Sequence, residues 1–167
     1  SYITVKLGEK ILDYCAGNGA KSLSMASITK NRKKLHSYEI NTKRKITLEK
    51  RCKEYDAKVI IEDNLSQKTF DVILLDAPCT GIGAARRNPE AKYVQSSDEF
   101  PDIQIKILKE ASEKIIAGGY LVYTVCTITP EETEEVIKKF LEKSDFKLYN
   151  LKNLDHSKYI RINKYGG

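Results

Sequence analysis

The feature that most constrains the fold is a regular alternation between short apolar runs and longer segments with helical periodicity. The apolar runs predict strands at residues 10–14, 35–39, 58–61, 70–75, 120–125 and 146–149. Helices are predicted at residues 21–28, 42–55 and 101–117, and a last one from Thr129 onward. This order is typical of βαβ units, so we predict an α/β fold with a doubly wound, mainly parallel sheet.

Two of the predicted helices carry recognisable end signals. Gly118 and Gly119 follow the third helix in the position of a C-terminal cap. The run Thr129-Pro130-Glu131-Glu132 has the pattern of a capping box with proline at the first helical position. We therefore expect the third helix to extend to residue 117 and the fourth to begin at residue 130.

Length and charge limit the class of protein. The 167 residues suit a single domain, which we predict over residues 1–167. No stretch approaches the roughly 20 apolar residues that span a bilayer, and no leader opens the chain, so we expect a cytoplasmic protein with no membrane partner. The net charge of +6 favours a polyanionic partner such as nucleic acid. The four cysteines form no C-x-x-C pair, so we predict free thiols and no metal site.

A turn of small residues follows the first predicted strand. It runs from Asp13 through Gly17 and Gly19 to Lys21 and Ser22. Because Ala20 stands directly before Lys21, the turn is not a phosphate-binding P-loop, and Ser22 replaces the third glycine of the dinucleotide motif. Such a turn lets a nucleoside approach the backbone, although a tight strand-to-helix connection is the alternative.

Acidic residues end the next two predicted strands. Glu39 is placed to accept hydrogen bonds from ribose hydroxyls, and Asp63 to accept one from an adenine amino group. The alternatives are a surface acid for Glu39 and a turn or helix cap for Asp63. A nucleoside site without a phosphate loop fits S-adenosylmethionine, whose anionic end is a carboxylate.

Two cysteines follow the fourth and fifth predicted strands. Cys79 lies in the loop Asp76-Ala77-Pro78-Cys79, and Cys126 follows Val125 directly. A single free cysteine is usually a small buried apolar residue. If the fourth and fifth strands are neighbours, the two cysteines lie at the same edge of the sheet, because the carboxyl ends of parallel strands meet there. Two cysteines in this arrangement indicate a reactive pair rather than two buried apolar residues.

These motifs resemble the RsmB/Sun (Fmu) family of RNA cytosine-5 methyltransferases. The resemblance rests on Asp-Ala-Pro-Cys-Thr-Gly-x-Gly from Asp76, on Arg86-Arg87-Asn88-Pro89-Glu90, on the run from Leu121 to Thr127 and on Pro130-Glu131-Glu132. It extends from about Gly8 to Leu141. It implies a Rossmann-like S-adenosylmethionine methyltransferase fold, lacking its last strand here, and RNA as the substrate, with ribosomal RNA favoured over transfer RNA.

The resemblance also implies a role for individual residues. Cys126 matches the nucleophile that adds to carbon 6 of cytosine, Cys79 the cysteine that assists release, and Asp76 the acid that binds the cytosine edge. Arg86, Arg87 and Lys92 match contacts to the RNA backbone, with a solvated helix face as the alternative. The expected cofactor contacts are Cys15, Ala16, Gly17, Asn18, Gly19, Ala20, Lys21, Glu39, Arg44, Asp63 and Asp76.

The chain departs from the family pattern in places. The family's Ala-Pro-Gly-Gly-Lys-Thr is replaced by the run from Gly17 to Ser22, so we expect a different backbone path around the cofactor. Val125 replaces a threonine before Cys126, and Thr133 stands where asparagine often follows Glu-Glu; neither of these two changes removes a reacting atom. We expect the chain to lack the family's N-terminal RNA-binding region, the segment leading into the first strand and the closing strand.

Three other functions are open at this stage. The first is a transfer RNA cytosine-5 methyltransferase, because related enzymes on different RNAs share these motifs. The second is a domain that binds cofactor or RNA without turnover. The third is a methyltransferase for amines or small molecules, although amine methylation typically uses an Asp/Asn-Pro-Pro-aromatic loop rather than Asp76-Ala77-Pro78-Cys79.

Overall fold

A computed structural model describes residues 1–84 and 99–149 of the chain. Its helices are α1 (Thr4–Leu7), α2 (Ala20–Thr29), α3 (Thr42–Glu54), α4 (Glu99–Ser112) and α5 (Glu134–Leu141). Its strands are β1 (Lys10–Asp13), β2 (Lys34–Tyr38), β3 (Val59–Glu62), β4 (Phe70–Asp76) and β5 (Ile115–Thr124). Short 3-10 turns lie at Ile82–Ala84 and Pro130–Glu132.

The five strands form one parallel sheet in the order β3-β2-β1-β4-β5. This order, which starts in the middle and runs outward in both directions, is that of a doubly wound fold. It confirms the predicted fold class. The point where the order reverses lies between β1 and β4, and ligands bind outside the carboxyl ends of the strands there.

The hydrophobic core lies along the two central strands. Val72, Ile73, Leu74 and Leu75 of β4 are all completely buried, as expected for a parallel strand that is covered on both faces. Burying one such side chain contributes about 1.5–3 kcal/mol. A cluster that includes Val5, Ile11, Met25, Leu35 and Val72 shows that α1 and α2 cover this sheet.

Cα packing divides the chain into two compact units. The first comprises Ser1–Pro78 with Lys106–Thr124 and contains the whole sheet; the second comprises Cys79–Ile105 with Val125–Gly167. That residues 1–167 form one domain stays a prediction.

The prediction that the third helix extends to residue 117 is wrong. Helix α4 ends at Ser112, and Gly118 and Gly119 lie inside β5. The register between β4 and β5 shifts there, since Phe70 pairs with Ile115 but Val72 pairs with Tyr120. A Cβ atom on Gly119 would lie 2.7 Å from the carbonyl oxygen of Asp71. The glycines therefore permit an irregularity in the strand rather than a helix cap.

The prediction of a strand at residues 146–149 is wrong, and the segment has irregular backbone in the structure. Phe146 packs against Phe140 of α5 with the ring centroids 5.5 Å apart, and Leu148 is 78% exposed. The apolar residues of the segment therefore cover a helix or face solvent instead of forming one face of a strand.

The capping box predicted at Thr129 is also wrong. The Thr129 side chain caps no backbone N–H group, and α5 begins only at Glu134, after the 3-10 turn. Its hydroxyl instead donates a hydrogen bond to Oε1 of Glu132 at 3.2 Å. The Glu132 carboxylate thus accepts hydrogen bonds from Thr129 and from Thr80 rather than capping the start of a helix.

Candidate functional site

The turn after β1 is held by backbone hydrogen bonds and by two glycines in left-handed conformations. The Ala16 N–H donates to the carbonyl of Tyr38 at 3.1 Å, and the Gly19 N–H to the carbonyl of Ala16 at 2.9 Å. Gly17 has φ +55°, and Gly19 has φ +84°. A Cβ atom on Gly19 would lie 2.4 Å from Cδ1 of Leu48. Glycine is therefore required where the turn enters α2.

Glu39 links this turn to the end of β2. One carboxylate oxygen accepts a hydrogen bond from the Gly17 N–H at 2.7 Å, and the other accepts one from the Asn41 N–H at 2.7 Å. The residue is only 8% exposed. Each carboxylate oxygen has a second lone pair, so both can still accept from ligand hydroxyls. Apart from Gly17 and its two chain neighbours, none of the described residues has an atom within 4 Å of a Cβ built on Gly17, which leaves open space beside this carboxylate.

Asp63 and Arg44 are exposed residues near the same edge of the sheet. The Asp63 carboxylate forms an ion pair with Nζ of Lys45, and the hydrogen bond from Lys45 lowers the pKa of Asp63. Arg44 lies in the first turn of α3, where its N–H donates to Oδ1 of Asn41 at 3.1 Å and so completes the helix cap. Asp63 is therefore ionised and accessible, as an acceptor for a ligand amino group must be.

Asp76 ends β4 with both carboxylate oxygens engaged. Nζ of Lys21 forms an ion pair with one oxygen, and the Thr124 hydroxyl donates to the other at 2.7 Å. The side chains of Lys21 and Asp76 are 37% and 33% exposed, so solvent screens the pair and its contribution to stability is small. The sequence analysis missed Thr124; its position directly opposite Asp76 in the pairing of β4 with β5 explains its contact.

Asp13, at the end of β1, is a completely buried carboxyl that the sequence analysis did not select as a site residue. Its Oδ2 accepts from the Ser22 hydroxyl at 2.6 Å, and the Ser37 hydroxyl donates in turn to Ser22 at 2.8 Å. Its Oδ1 has no hydrogen-bond partner among residues 1–84 and 99–149. Burial raises the pKa of Asp13 to about 6. The one signal in the sequence was its place between a buried strand and the glycine turn.

Cys15, in the glycine turn, is not a nucleophile. Burial, followed by the negative charges of Glu39 and Asp13, raises the pKa of its thiol to about 12. A thiol with this pKa is fully protonated near neutral pH, and the thiolate is the reactive form. Cys15 is therefore limited to packing and to contacts with a ligand.

Together, these residues of the first unit have the donor and acceptor set of a nucleoside site. Carboxylates end several adjacent strands, and open space lies beside Gly17. Carboxylates accept hydrogen bonds from hydroxyl and amino groups and attract cations, but they repel phosphate. The set therefore fits S-adenosylmethionine, which carries ribose hydroxyls, an adenine amino group, a sulfonium and an ammonium.

The second unit brings Cys79 and Cys126 into contact. Their sulfur atoms are 3.4 Å apart, and the Cys126 N–H donates to Sγ of Cys79 at 3.3 Å. Both are free thiols. The Gly83 N–H donates to the Cys126 carbonyl at 3.1 Å, and a Cβ on Gly83 would lie 3.1 Å from that oxygen. A glycine at this position thus allows the two loops to approach closely.

The two thiols differ in environment. Burial, followed by the hydrogen bond with the Cys126 side chain, raises the pKa of Cys79 to about 11. Cys79 is partly buried, whereas Cys126 is exposed. Cys79 is therefore a protonated donor near neutral pH, and Cys126 is the sulfur that is accessible to a substrate.

The three predicted contacts to the RNA backbone, Arg86, Arg87 and Lys92, lie outside the described residues. The described residues contain no cluster of histidine, cysteine, aspartate or glutamate that could hold a metal. No helix among them is long and apolar enough to cross a membrane.

Comparison with known families gives a match over nearly the whole chain. The family described as 16S rRNA methyltransferase RsmB/F matches residues 2–164. The probable ribosomal RNA small subunit methyltransferase B of Bacillus subtilis is 35% identical over an alignment of 151 residues, and the match covers 83% of this chain and 34% of that protein. The ribosomal RNA small subunit methyltransferase F of Aeromonas salmonicida is 34% identical over an alignment of 152 residues, and the match covers 83% of this chain and 32% of that protein.

Solved structures share the fold. The crystal structure of NSun6 from Pyrococcus horikoshii with SFG has a TM-score of 0.76 and 25% identity, covering 84% of this chain and 39% of that one. A methyltransferase homolog from the same organism has a TM-score of 0.71 and 29% identity, covering 87% of this chain and 48% of that one. The chain spans about a third of the length of the methyltransferases from Bacillus subtilis and Aeromonas salmonicida described above.

Proposed function

The chain belongs to the 16S rRNA methyltransferase RsmB/F family, and from this premise we propose that it transfers a methyl group from S-adenosylmethionine to carbon 5 of cytosine in RNA. The observation that carries the proposal is the contact between Cys79 and Cys126, whose sulfur atoms are 3.4 Å apart. A methyltransferase that acts on an amine needs no such pair. Methylation at carbon 5 can use one, because one thiol can activate the base and the other can assist its release.

The first unit would bind the cofactor. Glu39 would accept the ribose hydroxyls beside Gly17, and Asp63 the adenine amino group. The remaining turn residues from Cys15 to Lys21, together with Arg44 and Asp76, complete the proposed contacts. The relative from Pyrococcus horikoshii was crystallised with SFG, an analogue of S-adenosylmethionine, which supports this assignment. When bound, S-adenosylmethionine supplies an electrophilic methyl group.

The two cysteines would carry the covalent chemistry. The Cys126 thiolate forms a bond to carbon 6 of cytosine, which makes carbon 5 nucleophilic enough to take the methyl group. Carbon 5 then loses its proton, the bond between Cys126 and carbon 6 breaks, and the sulfur leaves as the thiolate. Cys79 is mostly a protonated thiol near neutral pH, and it assists this release through its minor thiolate form, which takes the carbon 5 proton.

Asp76 would bind the cytosine edge and stabilise charge that develops on the ring. The hydroxyl of Thr124 and the ammonium of Lys21 hold its carboxylate in place. We therefore expect Asp76 to act as an acceptor toward the exocyclic amino group of cytosine.

The proposed substrate is ribosomal RNA, because the curated relatives that match are named as small-subunit ribosomal RNA methyltransferases. Arg86, Arg87 and Lys92 would contact its backbone, in keeping with the net charge of +6. A ribosomal substrate also implies that the protein acts in the cytoplasm. Transfer RNA is the alternative substrate.

Methyl transfer by single-cysteine variants tests the proposal. Cys126→Ala should abolish transfer to unmodified small-subunit ribosomal RNA, whereas Cys79→Ala should accumulate a covalent protein–RNA adduct. Cys52→Ala is the matched control, since Cys52 lies on α3 and is not among the proposed contacts of cofactor or RNA, so its loss should leave transfer intact.

Each outcome separates a different part of the proposal. Transfer that survives Cys126→Ala would refute the nucleophile assignment. Free methylated RNA, without adduct, from Cys79→Ala would refute the release role. Mapping the methylated position in ribosomal and transfer RNA then distinguishes the two substrates.

A further inference from the structure

A buried carboxylate in the second unit is not accounted for by the proposed chemistry. Glu132 ends the 3-10 turn Pro130–Glu132 and is only 3% exposed. Burial of an ionised carboxylate is costly unless hydrogen bonds compensate for the lost water. The hydrogen-bond partners of Glu132 therefore indicate which part of the structure this carboxylate stabilises.

The first partner is Thr80, the residue after Cys79. Its backbone N–H donates to Oε2 of Glu132 at 3.0 Å, and its hydroxyl donates to Oε1 at 2.6 Å. Two hydrogen bonds from one residue fix both the position and the orientation of the backbone at that point. Glu132 thus holds the loop that carries Cys79.

The other partners connect Glu132 to the loop that carries Cys126. The Thr129 hydroxyl donates to Oε1 of Glu132 at 3.2 Å. The hydroxyls of Thr80 and Thr127 are 3.1 Å apart, and Thr127 directly follows Cys126. Nε2 of Gln104, on α4, donates to Oε2 at 3.0 Å. The network therefore engages the residue after each of the two cysteines.

We propose that Glu132 is a positioning residue that holds the Cys79 and Cys126 loops together and so sets the contact between the two sulfur atoms. It does not touch substrate, and it acts through Thr80 and Thr127. Its importance for methyl transfer rests on the proposed function above, whereas its effect on the distance between the thiols does not.

The protonation state of Glu132 agrees with this role. Burial raises the pKa of its carboxyl, but the hydrogen bonds from Thr80, Gln104 and Thr129 outweigh burial and hold the pKa below its usual range. The group is therefore ionised near neutral pH, with both oxygens available as acceptors. Glutamine has the same shape and can satisfy the same partners, because the threonine hydroxyls can accept as well as donate.

The equilibrium between the Cys79–Cys126 disulfide and glutathione measures the geometry of the pair without any methyl transfer. The protein is equilibrated with reduced and oxidised glutathione, quenched with acid and alkylated, and the bridged peptide is quantified by mass spectrometry. Glu132→Ala should lower the equilibrium constant by about tenfold, because Thr80 loses two acceptors. Glu132→Gln should stay within about threefold of the wild type.

Glu131→Ala is the matched control. Glu131 is the preceding residue in the same turn and is exposed, so its loss should leave the equilibrium unchanged. Thr80→Val provides a second probe, because it removes one hydroxyl from the network and keeps the side-chain shape. It should lower the equilibrium constant by a few fold even if Glu132→Ala fails to fold.

The outcomes separate the positioning role from the proposed function. A wild-type equilibrium in folded Glu132→Ala or, if that variant does not fold, in Thr80→Val would overturn the positioning role. Where methyl transfer is measurable, Glu132→Ala should lower kcat and leave KM for S-adenosylmethionine unchanged. A lowered disulfide equilibrium together with a wild-type protein that never methylates RNA would refute the proposed function while the positioning role stands.

Discussion

The buried carboxyl of Asp13 makes the stability of the protein depend on pH in a predictable way. Asp13 is completely buried, and burial raises its pKa from 3.8 to about 6. A group whose pKa is higher in the folded state than in the unfolded state binds a proton more tightly when folded. Its stabilising contribution is therefore complete below the unfolded pKa and is lost as the pH rises through the folded pKa. Asp13→Asn removes this titration.

The size of the effect follows from the shift in pKa. A difference of roughly two pKa units corresponds to about 3 kcal/mol, at about 1.4 kcal/mol for each unit. Ionisation of Asp13 should therefore destabilise the wild type by about 3 kcal/mol between about pH 4 and pH 7.5, while Asp13→Asn is unaffected. The asparagine oxygen can still accept from Ser22, so the fold should be retained.

Urea unfolding of the wild type and Asp13→Asn, measured across this range of pH, provides the test. The free energy of unfolding of the variant minus that of the wild type should rise by about 3 kcal/mol as the pH increases, because the other titrating groups cancel. Asp13→Asn also places an amide NH₂ group where the wild type has Oδ1, and this lowers the free energy of unfolding of the variant. Because the amide does not titrate, this cost is the same at every pH and does not affect the change with pH.

Asp71→Asn is the matched control. Asp71 accepts hydrogen bonds from the backbone N–H groups of Lys10 and Glu9, at 2.9 and 3.0 Å, which lower its pKa. Its contribution is therefore fully present above the unfolded pKa, so the difference for Asp71→Asn should stay constant over this range and change, in the opposite direction, only at lower pH. A difference for Asp13→Asn that stays constant within about 0.5 kcal/mol would refute the reasoning.

Three further predictions concern the two sites. Calorimetric titration with S-adenosylmethionine should show binding that Glu39→Ala and Asp63→Ala each weaken by about tenfold, because a donor group of the ligand loses its acceptor. Unchanged affinity in both variants would refute the proposed cofactor site. Gly19→Ala should lower the free energy of unfolding in urea by about 2 kcal/mol, because the new Cβ would lie 2.4 Å from the Leu48 side chain and the residue has φ +84°. A variant as stable as the wild type would contradict the close contact. Release of a preformed RNA adduct should accelerate about tenfold per pH unit below the Cys79 pKa of about 11, so a release rate that does not change with pH would exclude Cys79 as the base.

The fold was largely predictable because its signals are local and strong. The buried runs of β1 and β4 and the periodicity of α3 place these elements within one residue of their observed ends. The errors occur where a local signal has two structural meanings. Gly118 and Gly119 suit a helix cap as well as an irregular strand, and only the pairing of β5 with β4 decides between them.

The sequence allowed Cys79 and Cys126 to be predicted, but not the hydrogen bonds that surround them. Both cysteines stand out because a distinctive motif surrounds each of them. Asp13, Thr124 and Glu132 do not, because their importance comes from burial and hydrogen bonds that no local motif indicates. The hydrogen bond between Thr80 and Glu132, for example, spans 52 residues. Such contacts require the three-dimensional structure.

The covalent intermediate is the most direct test of the proposed chemistry. The Cys79→Ala variant is incubated with S-adenosylmethionine and unmodified small-subunit ribosomal RNA, and the product is digested with nuclease and protease for mass spectrometry. Our account predicts a peptide containing Cys126 that is joined through sulfur to a methylated cytidine. Methylated RNA accompanied by a Cys126 peptide that carries no nucleotide would contradict it.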